Sequence, residues 1–244
     1  MIDINKKGFN NITPLYVACQ QNQNETLVRY LVEHGANLNE ECRSKETPLH
    51  IACSNENEAI VKCLVELGAD INKENCYGQT PLFYACKYGR EAIVKYLIKQ
   101  GANINETKDA LLNVTCGSEY GTEGIVRTLV EFGADVNKED KEGKTPLFNA
   151  CYAGNESIVK CLVELGSDIN KIDNYGRTPI FLACHGSKKE NEAIVKYLIE
   201  LGVDINKESN RGETPLFDAC FGGNEAIVKY LIKLGADINK ESNW

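Results

Sequence analysis

Residues 78–105 read G-Q-T-P-L-F-Y-A-C-K-Y-G-R-E-A-I-V-K-Y-L-I-K-Q-G-A-N-I-N, and the rest of the chain is a set of variations on them. Residues 143–170, 176–206 and 212–239 repeat the stretch, and residues 1–72 repeat it more loosely. A fixed internal period outranks any other signal in a sequence. All six prolines (Pro14, Pro48, Pro81, Pro146, Pro179 and Pro215) follow a threonine, and a copy without proline lies near Leu111. Six intervals therefore separate Pro14 from Pro215, a mean of about 33.5 residues.

Each copy has a physical reading. Thr80 suits a helix N-cap, because its hydroxyl can accept an orphan backbone N–H. Pro81 then occupies the first helical position, where a missing N–H costs nothing. A short helix follows that buries Leu82, Phe83, Ala85 and Cys86, and Gly89 ends it. Glu91 and Ala92 open a second helix whose stripe, Ile93, Val94, Leu97 and Ile98, has helical spacing. In other copies Asn57, Asn155, Asn191 or Asn224 is placed to cap that helix. Gly101 falls where a helix ends in the left-handed region. The polar linker that follows is extended and turn-rich, with a glycine such as Gly78 at its tip.

A unit of turn, helix, turn and helix with T-P-L-x-x-A and a G-A-D-I-N ending resembles the ankyrin repeat over nearly the whole chain. The resemblance implies an all-α solenoid of helix-turn-helix units with projecting turn tips. It implies one array over residues 1–244, in repeats near 4–39, 40–72, 73–105, 106–137, 138–170, 171–206 and 207–239. One departure is consistent. The family usually carries histidine after T-P-L, and only His50 keeps it here; Phe83, Phe148, Phe181 and Phe217 stand elsewhere. Aromatic packing is expected to replace the hydrogen bonds that this histidine makes between repeats.

Composition narrows the function. The chain has 244 residues, 43% of them hydrophobic, and a formal charge of −8 with Lys and Arg spread through every copy. Nucleic-acid binding needs clustered positive charge, so that class of partner is not expected. No apolar run approaches the roughly eighteen residues of a membrane span. The start, M-I-D-I-N-K-K-G, lacks the apolar core of a signal peptide. The cytosol is the expected location, with the nucleus as the alternative.

Eleven cysteines invite a disulfide or metal reading. Seven of them (Cys19, Cys53, Cys86, Cys116, Cys151, Cys184 and Cys220) share one repeat position in the first helix. Stacked helices lie about 8–10 Å apart, whereas a disulfide needs Cα atoms within about 7 Å. The column therefore reads as small buried thiols in a reducing compartment. No C-x-x-C occurs and His34, His50 and His185 do not cluster, so neither metal nor other cofactor is expected. Cys42 and Cys76, in linkers, are the thiols expected to be exposed.

Several copies depart from the pattern. Lys45 takes the place of the tip glycine in the second. In the fourth, the linker over Glu106–Asp109 is short, Leu111 replaces proline, and Asp109 is a candidate cap. The sixth carries a three-residue insertion within His185–Asn191. The stripe of the last copy, Ile227, Val228, Leu231 and Ile232, matches those of internal copies, so the chain reads as part of a longer array.

No nucleophile and base stand in catalytic spacing, since Cys184 and His185 are adjacent and point apart on a helix. No enzyme is expected. The outward positions of the first helices are Tyr84 and Tyr88 in the third copy, Tyr152 in the fifth, His185 in the sixth and Phe221 in the seventh. Tyr77, Lys141, Ile172, Tyr175 and Arg211 vary among the turn tips. Resemblance to the family implies that these tips and that helix face bind a protein partner. Tyrosine and phenylalanine are also residue types suited to interface anchors. The site is expected on the C-terminal side of the irregular fourth copy, on a monomeric chain. The alternative is a structural spacer of a larger array with no dedicated ligand.

Overall fold

The computed structural model describes residues 3–21, 24–104, 111–186 and 188–240. Among them the structure is all-helical, with fourteen α-helices, one 3-10 turn and no strand. The helices alternate as the period predicts. The first helices of the copies are α1 (Pro14–Gln20), α3 (Pro48–Ser54), α5 (Pro81–Lys87), α7 (Leu111–Gly117), α9 (Pro146–Ala153), α11 (Pro179–His185) and α13 (Pro215–Phe221). The second helices are α2 (Glu25–Glu33), α4 (Glu58–Glu66), α6 (Glu91–Lys99), α8 (Glu123–Glu131), α10 (Glu156–Glu164), α12 (Glu190–Glu200) and α14 (Glu225–Lys233). No helix among the described residues is long and apolar enough to cross a membrane.

The chain forms two compact units, Met1–Thr115 with Glu131–Ala134, and Cys116–Val130 with Asp135–Trp244. The boundary runs through the fourth copy. Its short linker and the proposed Asp109 cap lie outside the described residues. In the first unit α1, α3 and α5 pack side by side, as do α2, α4 and α6. In the second, α9, α11 and α13 form one layer and α10, α12 and α14 the other.

The expected core is in place. Leu82, Phe83, Ala85, Cys86, Ile93, Val94, Leu97 and Ile98 are all buried. Burying such side chains contributes about 1.5–3 kcal/mol each, far more than any surface ion pair of this chain. Phe148 and Phe181 are completely buried, so aromatic packing does fill the position of the missing histidines. His50 keeps its polar role: Thr47 N–H donates to its Nδ1 at 3.0 Å, and its Nε2 meets the Gln79 carbonyl at 3.1 Å.

Three expectations need correction. Cys42 is buried, with its Sγ 3.0 Å from the Ser44 hydroxyl, whereas Cys220 of the core column is exposed with Cys76. Cys220 lies on the face of α13 that corresponds to the one covered by the next first helix in α9 and α11. Asn191 does not cap α12 but lies inside it, because the insertion extends that helix to eleven residues. Arg90 precedes α6 without a side-chain cap bond.

Asparagines at the ends of the copies tie neighbours together. Asn72 Nδ2 donates to the Gly101 carbonyl at 3.3 Å, and Asn103 N–H donates back to Asn72 Oδ1 at 2.9 Å. Asn137 does the same with Gly166 and Asp168 in the second unit.

Candidate functional site

The turn tips hold a fixed backbone beneath changing side chains. At three tips one buried residue ahead of the turn accepts two backbone N–H groups. Asn75 Oδ1 takes those of Tyr77 and Gln79, at 2.9 and 3.0 Å. Asp173 Oδ1 takes those of Tyr175 and Arg177, both at 2.9 Å. Ser209 Oγ takes those of Arg211 and Glu213, at 3.2 and 3.3 Å. Adjacent tips are also joined, since Asn210 N–H donates to the Tyr175 carbonyl at 2.8 Å. A tip pinned this way loses little conformational freedom on binding, which favours its use as a contact surface.

In the first unit the anticipated residues do not form one patch. Tyr77 is 67% exposed at its tip. Tyr84 is half-buried, and its hydroxyl donates to the Glu46 carboxylate while accepting from Asn75 Nδ2 at 3.1 Å. Tyr16 donates to the same carboxylate at 3.1 Å. This network spans three copies and turns Tyr84 inward. Burial and the neighbouring Glu46 push both phenols well above the usual tyrosine range. Tyr88 is half-buried, with its ring 6.4 Å from that of Tyr84 and beneath the Lys87 ammonium.

The second unit is different. Tyr152, His185 and Phe221 occupy the same position in α9, α11 and α13, and their rings stack. Centroids are 6.1 Å apart from Tyr152 to His185 and 5.3 Å apart from His185 to Phe221, with interplanar angles of 23° and 20°. The ladder is not hidden, for Tyr152 is 57% and Phe221 84% exposed. It walls a cleft of about 840 Å³ whose other lining includes Lys144, Asn149, Arg177, Leu182, Arg211, Glu213, Phe217 and Asp218.

A smaller cleft of about 200 Å³ lies between the tips of the last two copies. Tyr175 lines it, and Arg177, Arg211 and Glu213 are common to both clefts. The Arg177 guanidinium stands 4.9 Å over the Tyr175 ring. Lys141 and Ile172 are exposed but line neither cleft.

Electrostatics differ from place to place within the cleft. Asp173, almost fully buried, accepts from Arg177 Nε and Nη2 at 3.0 and 2.8 Å. Asp218 lacks such a pair. His185 Nδ1 stands 3.6 Å from its Oδ1, beyond hydrogen-bond reach. Burial foremost pushes the Asp218 carboxyl up to about 6, with Glu213 and Asp173 adding to the rise and Arg177 and His185 opposing it.

Sequence reasoning placed the aromatic ladder but overlooked the column before the cap threonines: Lys144, Arg177 and Glu213. The signal was available, because this position changes between copies while the threonine and proline beside it do not. Among the described residues no group of histidine, cysteine or carboxylate side chains is arranged to hold a metal.

Comparison with known proteins agrees with this architecture. A family model described as ankyrin repeats in three copies matches residues 1–75, 41–108, 114–209 and 175–242. The crystal structure of the human ASB11 ankyrin repeat domain is similar with a TM-score of 0.80 at 25% identity, covering 91% of this chain and 97% of that one. As many as 611 solved chains match, so the fold alone does not single out a partner. Among the curated proteins none matches.

Proposed function

The chain belongs to the ankyrin-repeat family, whose members generally serve as protein-interaction modules, and on that premise we propose that its second unit binds a protein partner along the cleft walled by Tyr152, His185 and Phe221. The observation that carries this reading is the exposed ladder itself. Stacked aromatic pairs contribute about 0.5–1.5 kcal/mol beyond their burial. That self-association leaves most of the Phe221 surface in water, and covering a phenyl ring is worth about 1.5–3 kcal/mol more. Tyr175 and Arg211, on tips pinned by Asp173 and Ser209, extend the same surface. The proposal includes a monomeric chain without cofactor in the cytosol or nucleus; the buried thiol column favours a reducing compartment.

Affinity capture with the intact chain, followed by titration of the captured protein, tests it. Alanine at both Tyr175 and Phe221 should weaken binding at least tenfold, about 1.4 kcal/mol, with helical content unchanged. A partner more sensitive to Tyr16 or His50 would place the site in the first unit. A partner indifferent to all four residues would place the site elsewhere on the chain, and capture of no partner would favour the spacer reading.

A further inference from the structure

Three columns run through the cleft in the order of the copies. Beside the cap threonines stand Lys144, Arg177 and Glu213; the floor is Asn149, Leu182 and Asp218; the wall is the aromatic ladder. Resting on the reading of this cleft as the partner site, we propose that it takes an extended peptide segment of polarised charge. The segment is acidic where it passes Lys144 and basic where it reaches Glu213 and Asp218. A large apolar side chain between them lies against the ladder.

Charge along the cleft motivates the assignment. At the fifth copy Lys144 meets only Glu142 of its own tip, at 2.5 Å, and Glu142 is itself half in water. Exposed pairs of this kind are worth little, so a partner carboxylate can replace Glu142 at small cost. At the sixth copy the cation is already matched, because Arg177 is held by the buried Asp173 through two hydrogen bonds. Buried Leu182 adds an apolar floor there. The centre therefore suits a side chain without charge.

At the seventh copy two carboxylates, Glu213 and Asp218, line the cleft together with Arg211, which also lines the smaller cleft between tips. Asp218 is only 16% exposed and has His185 at 3.6 Å in place of a hydrogen-bonded cation. A carboxylate desolvated without full compensation gains from an incoming ammonium or guanidinium. Phe221, one helical turn away, offers that cation a ring face. The two carboxylates also disfavour a phosphate backbone at this end. Neighbouring helices lie about 8–10 Å apart and an extended chain rises about 3.3 Å per residue. The acidic and basic residues of the segment should thus stand about five positions apart.

Random peptides displayed on phage, selected against the intact chain, test the inference. Enriched peptides should carry a large apolar residue flanked by acidic and basic residues on opposite sides. A synthetic peptide from that set should bind at least tenfold more weakly to Asp218→Asn and to Lys144→Glu, each checked for unchanged helicity. Exchanging its acidic and basic residues should favour the Lys144→Glu/Asp218→Lys double variant over the parent chain. Peptides that need Phe221 but show no charge order, or ignore both single charge variants, would overturn the inference and leave the cleft as a partner site. A selection yielding no peptide sensitive to Phe221→Ala would overturn both.

Discussion

The Thr47 hydroxyl lies 2.9 Å from Nδ1 of His50, and in the second unit the equivalent cap threonines have lost such a partner. Phenylalanine stands at the histidine position there, and the hydroxyls of Thr145, Thr178 and Thr214 are buried without a hydrogen bond. Burying a hydroxyl unpaired costs about 1–3 kcal/mol. The rings of Phe148 and Phe181, fully buried, offset that cost by removing apolar surface from water. One repeat position thus supports two solutions, a polar clasp in the second copy and an apolar plug in the copies that carry phenylalanine.

Replacing His50 by phenylalanine should therefore be unfavourable in its own setting. Thr47 would lose its partner, and the clasp to the Gln79 carbonyl would open. We expect a loss of about 1–3 kcal/mol, read from the urea midpoint. A variant as stable as the parent would mean that ring packing alone decides this position.

The pH dependence of stability should contain two opposing contributions. Burial lowers the His50 pKa, so on acidification the unfolded chain takes up that proton first. Its contribution is complete above the unfolded value of about 6.5 and is lost as pH falls below it. Asp218 has the other sign. Its folded pKa of about 6 exceeds the ordinary 3.8, so the folded chain binds the proton first and acidification through 6 stabilises it. Asp218→Asn should accordingly raise stability at pH 7.5 by about 1–3 kcal/mol, and the gain should shrink by pH 4.5. Denaturation of parent, Asp218→Asn and His50→Phe at both pH values separates the two. An Asp218→Asn gain that did not depend on pH would sink the account.

Lys45 sits at the tip position with φ of +60°, where Gly78, Gly143, Gly176 and Gly212 have φ between +74° and +77°. A side chain in the left-handed region costs about 1–2 kcal/mol, partly cancelled by the greater freedom of glycine in the unfolded chain. Lys45→Gly should stabilise by about 0.5–1 kcal/mol. Gly176→Ala should do the reverse, since the added Cβ would lie 2.8 Å from Asn210 N and break the tip-to-tip contact. Thermal midpoints moving in the same direction for both would contradict the assignment.

Thiol titration of native protein should show two rapid cysteines, Cys76 and Cys220, of the eleven. Burial pushes Cys19 and Cys86 up to about 12, which suppresses the reactive thiolate as well as access to it. Cys220→Ser should remove one rapid equivalent, and Cys42→Ser none. A rapid phase from Cys42 would show that its linker opens readily.

What could be read in advance follows the range of the forces involved. The Thr-Pro starts, the left-handed glycines and the stripe Ile93, Val94, Leu97 and Ile98 are local signals, and each element they mark is present. The ladder was legible because a strict period puts Tyr152, His185 and Phe221 in register. Cys42, Cys220 and Tyr84 misled for the opposite reason. Their surroundings depend on Ser44, on the covering of α13 and on Glu46 from another copy, none of which periodicity encodes.

Asn191 shows how the insertion in the sixth copy is absorbed. In the second and third copies a residue ahead of the second helix reaches back to a carbonyl near the end of the preceding copy's first helix, where the helix leaves acceptors unpaired. Asn55 Nδ2 reaches Cys19 O at 3.0 Å, and Arg90 Nε reaches Ser54 O at 3.0 Å. The extra residues carry Asn191 into α12, yet its Nδ2 still donates to Cys151 O at 2.8 Å and its Oδ1 accepts Lys188 N–H at 3.2 Å. The side chain is completely buried, so both bonds are made out of water. Gly186 must stay small beside it, since a Cβ there would lie 2.2 Å from Asn191 Nδ2. Asn191→Ala should cost about 1–3 kcal/mol. Asn191→Asp should cost more, because it removes the donor and buries a charge against a carbonyl. Hydrogen exchange should report the loss around residues 185–192 and at the end of α9 before the rest of the unit. If Asn191→Ala left both stability and exchange unchanged, the extended α12 would be held by its apolar stripe alone.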